Sequence, residues 1–347
     1  MDAFALLAHT VATGASDLHI RVGLPPMVRL HGELLAVGEV PLDDSDTQKM
    51  VDQVCSLQQR ERLAEEREVD FAIETDDSRF RANVFMERRG YGGVFRVIPT
   101  KIKSVEDLGV PQAIIDLCRR EKGLVVVTGP TGSGKSTTLA AMIDLINSER
   151  NGHILTIEDP IEFVHQPKRC VVTQREVGSH TNSFANALRA SLREDPDVIL
   201  VGEMRDLETI SLAITAAETG HLVFGTLHTM SAPKTIDRIV DAFPADRQEQ
   251  IRVMLSESLE GVISQALLPT KDGNGRVAAH EILVVLPSIR NIIREAKTHQ
   301  VQSIMQTGMK HGMVTMDVAL ERLVQQGLID ADVARRRLSA GGADDGQ

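Results

Sequence analysis

Residues 129–136 read GPTGSGKS and match the phosphate-binding pattern G-x-x-x-x-G-K-[ST] in full. The β-branched run at 125–127 before them is typical of a strand buried on both faces. After them, apolar residues recur at helical spacing from Leu139 to Ile146. The strand, loop and helix therefore follow one another in the order that this pattern requires, and the sequence predicts a nucleoside triphosphate site.

The expected chemistry of the loop follows from its residue types. Glycines let backbone N–H groups turn inward around phosphate oxygens, and the start of the helix adds partial positive charge. We expect Lys135 to reach the β- and γ-phosphates of ATP and the Ser136 hydroxyl to bind Mg²⁺. The predicted phosphate-binding residues are Gly129, Pro130, Thr131, Gly132, Ser133, Gly134, Lys135, Ser136 and Thr137.

Composition narrows the class of protein. The formal net charge of −11, one Tyr and no Trp argue against a nucleic-acid partner, because base stacking and phosphate contacts need aromatic and basic side chains. No run of 18 apolar residues is present, and the first residues have no basic segment typical of a secretory signal. Three widely separated cysteines indicate neither a zinc site nor a disulfide framework. We expect a cytoplasmic protein.

The amino-terminal part of the chain predicts a compact α+β domain over residues 1–98, because short alternating strands are interspersed with helices. One of these helices is expected at 43–57. Residues 99–111 are the predicted linker.

The rhythm changes from residue 112, where helices alternate with short apolar strands up to about 285. This alternation predicts a parallel sheet covered by helices, which binds ligands at the carboxyl ends of its strands. Helices are expected from about 288 to 338, and the tail at 339–347 is expected to be disordered.

Acidic residues end two of the predicted strands. Glu203 follows one strand and is the candidate for polarising the attacking water, although Gly202 replaces the aspartate that commonly precedes it. Glu158, Asp159 and Glu162 follow the neighbouring strand and suit a Mg²⁺ ion. The alternative for this second group is a set of solvated loop charges.

The remaining candidate site residues are two histidines and a group of arginines. His221 and His228 bracket one strand seven residues apart, an odd offset that points them to opposite faces. His228, at the carboxyl end, is the candidate sensor of the γ-phosphate, whereas His221 suits an interface or packing. An arginine finger is expected among five arginines of the first domain, for which the alternative is a solvated strand face. They are Arg79, Arg81, Arg88, Arg89 and Arg96.

Taken in order along the chain, these motifs resemble those of the type II/IV secretion ATPase superfamily. Residues 129–136 are similar to its Walker A box, and the opening at 15–20 to the start of its amino-terminal domain. Gly202 is then the family's usual residue before the glutamate. Residues 288–295 resemble a signature of its pilus retraction motors, from which Ser288 and Ile292 depart conservatively. The aspartate, Walker B and histidine boxes correspond to 154–163, 197–206 and 219–229.

The resemblance implies an α/β protein with a PAS-like amino-terminal α+β domain, followed by a RecA-like P-loop ATPase domain with carboxyl-terminal helices. It also implies a homohexamer with ATP bound between subunits, acting at the inner membrane on a pilus platform protein, with a paralogous ATPase as a further partner. Glu203 would be the catalytic glutamate, with Glu162 and Glu158 near water and Mg²⁺. Arg81 and Arg96 match arginines that approach the phosphates, and both His221 and His228 gain support.

Several functions remain open from the sequence. The expected function is ATP hydrolysis that drives type IV pilus retraction and twitching motility. Within the superfamily the alternatives are a pilus assembly or secretion motor and an accessory paralogue of the retraction motor. Outside it they are a structural subunit that binds ATP without hydrolysing it, and a DNA translocase, which the acidic composition disfavours.

Overall fold

A computed structural model describes residues 2–30, 32–75, 78–98, 101–273 and 275–342. The chain divides into two compact units. One comprises Met1–Lys101 with Glu162–Val164, and the other comprises Ile102–Ile161 with His165–Gln347. The division falls within the predicted linker at 99–111, of which residues 99 and 100 lie outside the described residues.

The amino-terminal unit is an antiparallel sheet with helices packed on one face. Its helices are α1 (Ala3–Ala12), α2 (Asp44–Val54) and α3 (Leu57–Glu66). Its strands are β1 (Asp17–Ile20), β2 (Met27–Leu30), β3 (Glu33–Ala36), β4 (Glu68–Glu74), β5 (Arg79–Glu87) and β6 (Gly90–Ile98), in the order β3-β2-β1-β6-β5-β4. Alternate strand residues such as Leu18, Phe80 and Phe95 form its core, as period-two patterning requires.

The helix predicted at 43–57 corresponds to α2, which ends three residues earlier than expected. α2 ends at Val54, and Cys55 and Ser56 adopt extended backbone before α3 begins. The Ser56 hydroxyl accepts a hydrogen bond from the Gln59 N–H, while the Gln59 side chain accepts one from the Ser56 N–H. This reciprocal capping box begins the second helix, α3, at the position where the sequence analysis expected the first helix to end.

The second unit is a mostly parallel sheet in the order β13-β12-β7-β11-β10-β8-β9. Its strands are β7 (Gly123–Thr128), β8 (His153–Glu158), β9 (Val171–Glu176), β10 (Val198–Val201), β11 (Leu222–Leu227), β12 (Leu259–Pro269) and β13 (Arg276–Val284). Every residue of β7, β10 and β11 is buried, because helices cover both faces of a parallel sheet. Only β13, which returns from β12 as a hairpin, runs antiparallel.

Helices of this unit alternate with its strands, and the last four helices follow β13. The helices are α4 (Gln112–Cys118), α5 (Lys135–Glu149), α6 (Phe184–Ser191), α7 (Leu207–Glu218), α8 (Ala232–Asp241), α9 (Ala245–Ser258), α10 (Pro287–Arg294), α11 (Val301–Thr307), α12 (Met316–Gln325) and α13 (Ala331–Gly342). The sequence analysis did not predict α3, α8, α9, β3 or β9. Because α13 reaches Gly342, the predicted disorder does not hold for residues 339–342, and 343–347 lie outside the described residues.

Arg290 and Arg294 lie in the segment that resembles a retraction signature, and both make hydrogen bonds within this unit. The Arg290 guanidinium donates to the carbonyls of Ser256 and Glu257, which end α9, and to Glu260 Oε1 at 2.6 Å. Arg294 pairs with Glu257 at 2.8 Å. Cations at a helix carboxyl terminus satisfy its last carbonyls and oppose its dipole. These arginines therefore fasten α10 to the end of α9.

Two buried histidines in this unit are predicted to make its stability sensitive to acid. Burial lowers the pKa of His165 and of His280 to about 4, against about 6.5 in the unfolded chain. Below pH 6.5 the unfolded state therefore binds more protons, and each histidine lowers the free energy of unfolding by up to about 1.4 kcal/mol per pH unit until about pH 4. In thermal unfolding from pH 7 to pH 5, His280→Leu should lower the dependence of Tm on pH. An unchanged dependence would contradict this prediction.

Candidate nucleotide site at the carboxyl edge of the sheet

Four parallel strands bring the candidate residues to one edge of the sheet. β7, β11, β10 and β8 are successive neighbours, and each runs in the same direction. Their carboxyl ends lead into the phosphate-binding loop, His228, Glu203 and Glu158. This edge is where open α/β sheets bind ligands, because the loops there leave a crevice beyond the strands.

The phosphate-binding loop takes the backbone shape that its glycines allow. Gly129, Gly132 and Gly134 have φ angles of 140°, 79° and 85°, which side chains other than hydrogen rarely permit. A Cβ on Gly129 would lie 2.3 Å from the Gln265 carbonyl oxygen. No side chain caps the start of α5 among the described residues, so the first-turn N–H groups face the loop as donors for phosphate oxygens.

Lys135 folds back across this loop. Its ammonium group donates to the carbonyl oxygens of Gly129 at 2.8 Å and Pro130 at 3.1 Å. The positive charge therefore lies within the loop that would surround the phosphates. Ser136 is the next residue, in the first turn of α5.

Gln265, which the sequence analysis missed, holds the loop from the neighbouring strand β12. Its side-chain amide is 2 % exposed; Nε2 donates to the Ser133 carbonyl at 2.7 Å, and Oε1 accepts from the Thr138 hydroxyl at 2.8 Å. One amide group thus ties the loop to the second turn of α5. The contacts span more than 120 residues of sequence, and no local motif marks them.

Glu203 is held by two basic groups. Its Oε1 accepts from Arg205 Nε at 2.5 Å and from His228 Nε2 at 2.9 Å. Partial burial raises the pKa of the Glu203 carboxyl, but the hydrogen bonds from Arg205 and His228 outweigh it, so the net pKa lies below its usual value. Glu203 is therefore an ionised carboxylate at neutral pH. Arg205 was not a predicted site residue, although it stands two positions after Glu203.

Gly202 has a packing reason for lacking a side chain. Its N–H donates to the Ile157 carbonyl at 2.8 Å, and a Cβ would lie 3.0 Å from that oxygen and 3.3 Å from Glu158 Cα. The close approach of β10 to the end of β8 therefore excludes comfortable packing of an aspartate side chain here.

Glu158 and the loop after β8 are held by polar contacts from β8 itself and from β9. Glu158 Oε1 accepts from the Thr156 hydroxyl at 2.6 Å and from Gln174 Nε2 at 3.2 Å. The buried Glu176 carboxylate accepts from the Ile161 N–H at 3.0 Å, next to Glu162. Glu162 itself is exposed and groups with the amino-terminal unit.

Strand order limits what Glu158 can share with the phosphate-binding loop. β8 is three strands from β7, about 14 Å at the usual strand spacing, whereas Glu203 ends a strand two places away. Among the residues that the structure describes, no group of three or more His, Cys, Asp or Glu side chains forms a metal site. Mg²⁺ commonly keeps water and phosphate ligands, so the expected Mg²⁺ contacts of Ser136 and Glu158 do not require a site made of protein ligands alone.

His221 lies at the other end of β11 from His228. The six-residue strand between them spans about 20 Å, so the structure does not bring His221 to the phosphate-binding edge of its own sheet. Its Nδ1 lies 2.9 Å from the Ala216 carbonyl oxygen, near the end of α7.

Arg81 and Arg96 are direct partners across β5 and β6 in the amino-terminal unit, so both lie on one face of its sheet. Arg96 Nε donates to Asp17 Oδ1 at 2.8 Å. Burial raises the pKa of Asp17, but hydrogen bonds from Ser16 and Arg96 bring it below its usual value. Arg88 and Arg89 lie in the turn at the opposite end of this hairpin, so the structure separates them from Arg81 and Arg96.

A helix-covered parallel sheet with this loop at its carboxyl edge defines a P-loop nucleotide-binding protein of the RecA-like class. The model of the Type II/IV secretion system protein family matches residues 5–335. This chain belongs to that family.

Two curated relatives and one solved structure cover nearly all of the chain. It is 54% identical over 338 residues to the type IV pilus retraction ATPase PilT of Pseudomonas aeruginosa, covering 97% of this chain and 98% of PilT. It is 43% identical over 330 residues to the type IV pilus ATPase PilU of the same organism, covering 95% and 86%. A crystal structure of the pilus retraction motor PilT with bound ADP superposes with a TM-score of 0.91 at 50% identity, covering 97% of each chain.

Removing the Gln265 amide should weaken nucleotide binding. Gln265→Met keeps the length and burial of the side chain but loses both hydrogen bonds to the loop and helix, each worth about 1 kcal/mol. We expect the Kd for ADP, measured by calorimetry, to rise roughly tenfold. Thr138→Val, which removes one of the two bonds, should give a smaller rise. Equal affinity in wild type and Gln265→Met, with both folded, would refute the role of Gln265.

Proposed function

We propose that this protein is an ATP-hydrolysing motor that retracts type IV pili and so drives twitching motility. The observation that carries the proposal is the ionised Glu203, paired with His228, at the same sheet edge as the Lys135 loop. The full-length similarity to a pilus retraction ATPase supports the biological role. The chain is less similar to the type IV pilus ATPase PilU, at 43% identity, than to the retraction ATPase PilT, at 54%.

The residues of the second unit divide the chemistry between them. The loop N–H groups and Lys135 bind the phosphates, and Ser136 would hold Mg²⁺, which neutralises phosphate charge when bound. Glu203 orients the attacking water through its ionised carboxylate. Because its pKa is lowered, it is a weak base, which favours orientation of water over early proton abstraction. His228 holds Glu203 and would read the γ-phosphate, and Glu158 would act through water near the metal; Glu162, which groups with the first unit, is proposed for the same role.

Positive charge from the amino-terminal domain completes the proposed site. Arg81 and Arg96 stand side by side on one sheet face and would stabilise the charge that develops on the γ-phosphate. The hydrogen bond to Asp17 restricts the Arg96 side chain, which lowers the entropy cost of ordering it. We place the PAS-like domain at 1–98, the linker at 99–111 and the ATPase domain at 112–338, with the carboxyl-terminal helices from about 288.

The assembled form that we propose is a homohexamer with ATP between subunits. In such a ring, His221 would serve an interface, since it lies away from the phosphate edge of its own chain. Different affinities of open and closed states for ATP and ADP would let hydrolysis rotate one domain against the other.

The proposed place of action is the cytoplasmic side of the inner membrane, at the pilus base. The partners that we propose there are an inner-membrane platform protein and a paralogous retraction ATPase; no nucleic-acid partner is proposed. Among the described residues, no helix has the length and apolar character needed to span a bilayer.

The function is tested by replacing the gene with a Glu203→Gln variant. ATP turnover should fall by about a hundredfold or more while ADP binding is retained, because the variant keeps the shape but loses the charge that orients water. Cells that carry it should keep surface pili and stop twitching, whereas an exposed control, Glu66→Gln, should behave as wild type. Cells that lack pili would indicate an assembly motor, and unchanged turnover would indicate a nucleotide-binding scaffold.

The ring is tested by measuring turnover against protein concentration together with particle mass. Specific activity should rise as hexamers form, and Arg81→Ala should lower turnover roughly tenfold or more without changing the mass. Full turnover in a strict monomer would overturn the shared site.

A further inference from the structure

The segment that carries His228 is anchored residue by residue to three strands. We call residues 228–231, between β11 and α8, the histidine loop. The Thr128 hydroxyl, at the end of β7, lies 2.7 Å from the Thr229 carbonyl oxygen, and the Ser264 hydroxyl of β12 donates to the Met230 carbonyl at 2.9 Å. The loop then enters α8 at Ala232, whose N–H donates to Glu281 Oε1 at 2.8 Å.

Glu281 is a buried carboxylate that serves two helices at once. It lies on β13 and is 3 % exposed. Its second oxygen, Oε2, accepts from the Met316 N–H at 3.3 Å. Ala232 and Met316 are the first residues of α8 and α12, and neither helix has a side-chain cap of its own among the described residues. Glu281 therefore replaces two capping residues, at helix ends where the dipoles favour a negative group.

The buried position of Glu281 indicates a role beyond stabilising the two helix ends. Burial raises the pKa of Glu281, so its location costs free energy that an apolar residue would not. Simple capping does not need such a group, because Ser231 already precedes α8 at the usual capping position. Glu281 also connects the first residue of the helix that follows the histidine loop with the first residue of a helix in the carboxyl-terminal part of the chain.

We propose that Glu281 is a positioning residue for His228: by holding the start of α8 it sets the histidine loop, and through it the contact of His228 with Glu203, and it ties that loop to α12. The inference rests on the proposed function, since it concerns the hydrolytic step. It adds a structural link by which a displacement of α12 reaches the catalytic glutamate. Glu281 acts only through other residues and does not itself reach the phosphates.

The test compares Glu281→Gln and Glu281→Ala with wild type. Glutamine retains one acceptor oxygen and therefore loses one of the two N–H bonds, whereas alanine loses both. We expect the kcat for ATP to fall about fivefold and about twentyfold, while the Kd for ADP, set by the phosphate-binding loop, changes less than twofold. A matched control is Asp43→Ala, which removes the capping carboxylate of α2 in the other unit and should lower Tm without changing kcat.

A double-mutant cycle separates positioning from stability. If Glu281 acts through His228, then Glu281→Gln should change kcat less than twofold in a His228→Ala background. A full fivefold loss in that background, or a kcat within twofold of wild type for both folded Glu281 variants, would overturn the proposal. A joint loss of kcat and ADP affinity would also overturn it, because that result reports damage to the whole site. Absence of turnover in the wild type would instead contradict the proposed function.

Discussion

The parallel pairing of β7, β11, β10 and β8 is the constraint on which the site depends. Parallel strands must all present their carboxyl ends at one edge, and helices must cover both faces so that the strands are fully buried. As a result, the phosphate-binding loop, His228 and Glu203 converge although more than 90 residues separate the first from the last. Backbone hydrogen bonding between these strands therefore brings the residues of the site to one edge.

Close backbone approaches then refine this arrangement. Gly129 packs on the carbonyl of Gln265, and Gly202 packs on the end of β8. In both places the missing side chain lets a neighbouring strand carry a polar group into the site: the Gln265 amide on the loop, and Glu158 beside β10. Glycine thus serves two purposes in this site: it permits positive φ angles in the loop, and it permits the close approach of two strands at Gly202.

Buried polar side chains give the site its rigidity. Gln265 and Glu281 stand on the β12–β13 hairpin, and each satisfies two groups on elements far away in sequence. Such groups are costly to bury unless all their partners are in place, so they favour one arrangement of loop and helices over its alternatives. The hairpin at the edge of the sheet is therefore a support for the nucleotide site and for the histidine loop.

Local pattern was sufficient to predict the phosphate-binding loop, the strand that precedes it and Glu203 after a second buried strand, because each depends on a few consecutive residues. A capping box at Ser56 started α3 where the sequence analysis expected α2 to end, and the order of strands decided that Glu158 lies three places from β7. Only the tertiary structure revealed the contacts of Gln265 and Glu281, and it separated His221 from the phosphate edge. Hydrogen bonds between residues far apart in the chain have no periodic signature, since their partners are chosen by the packing of whole strands and helices and not by sequence spacing.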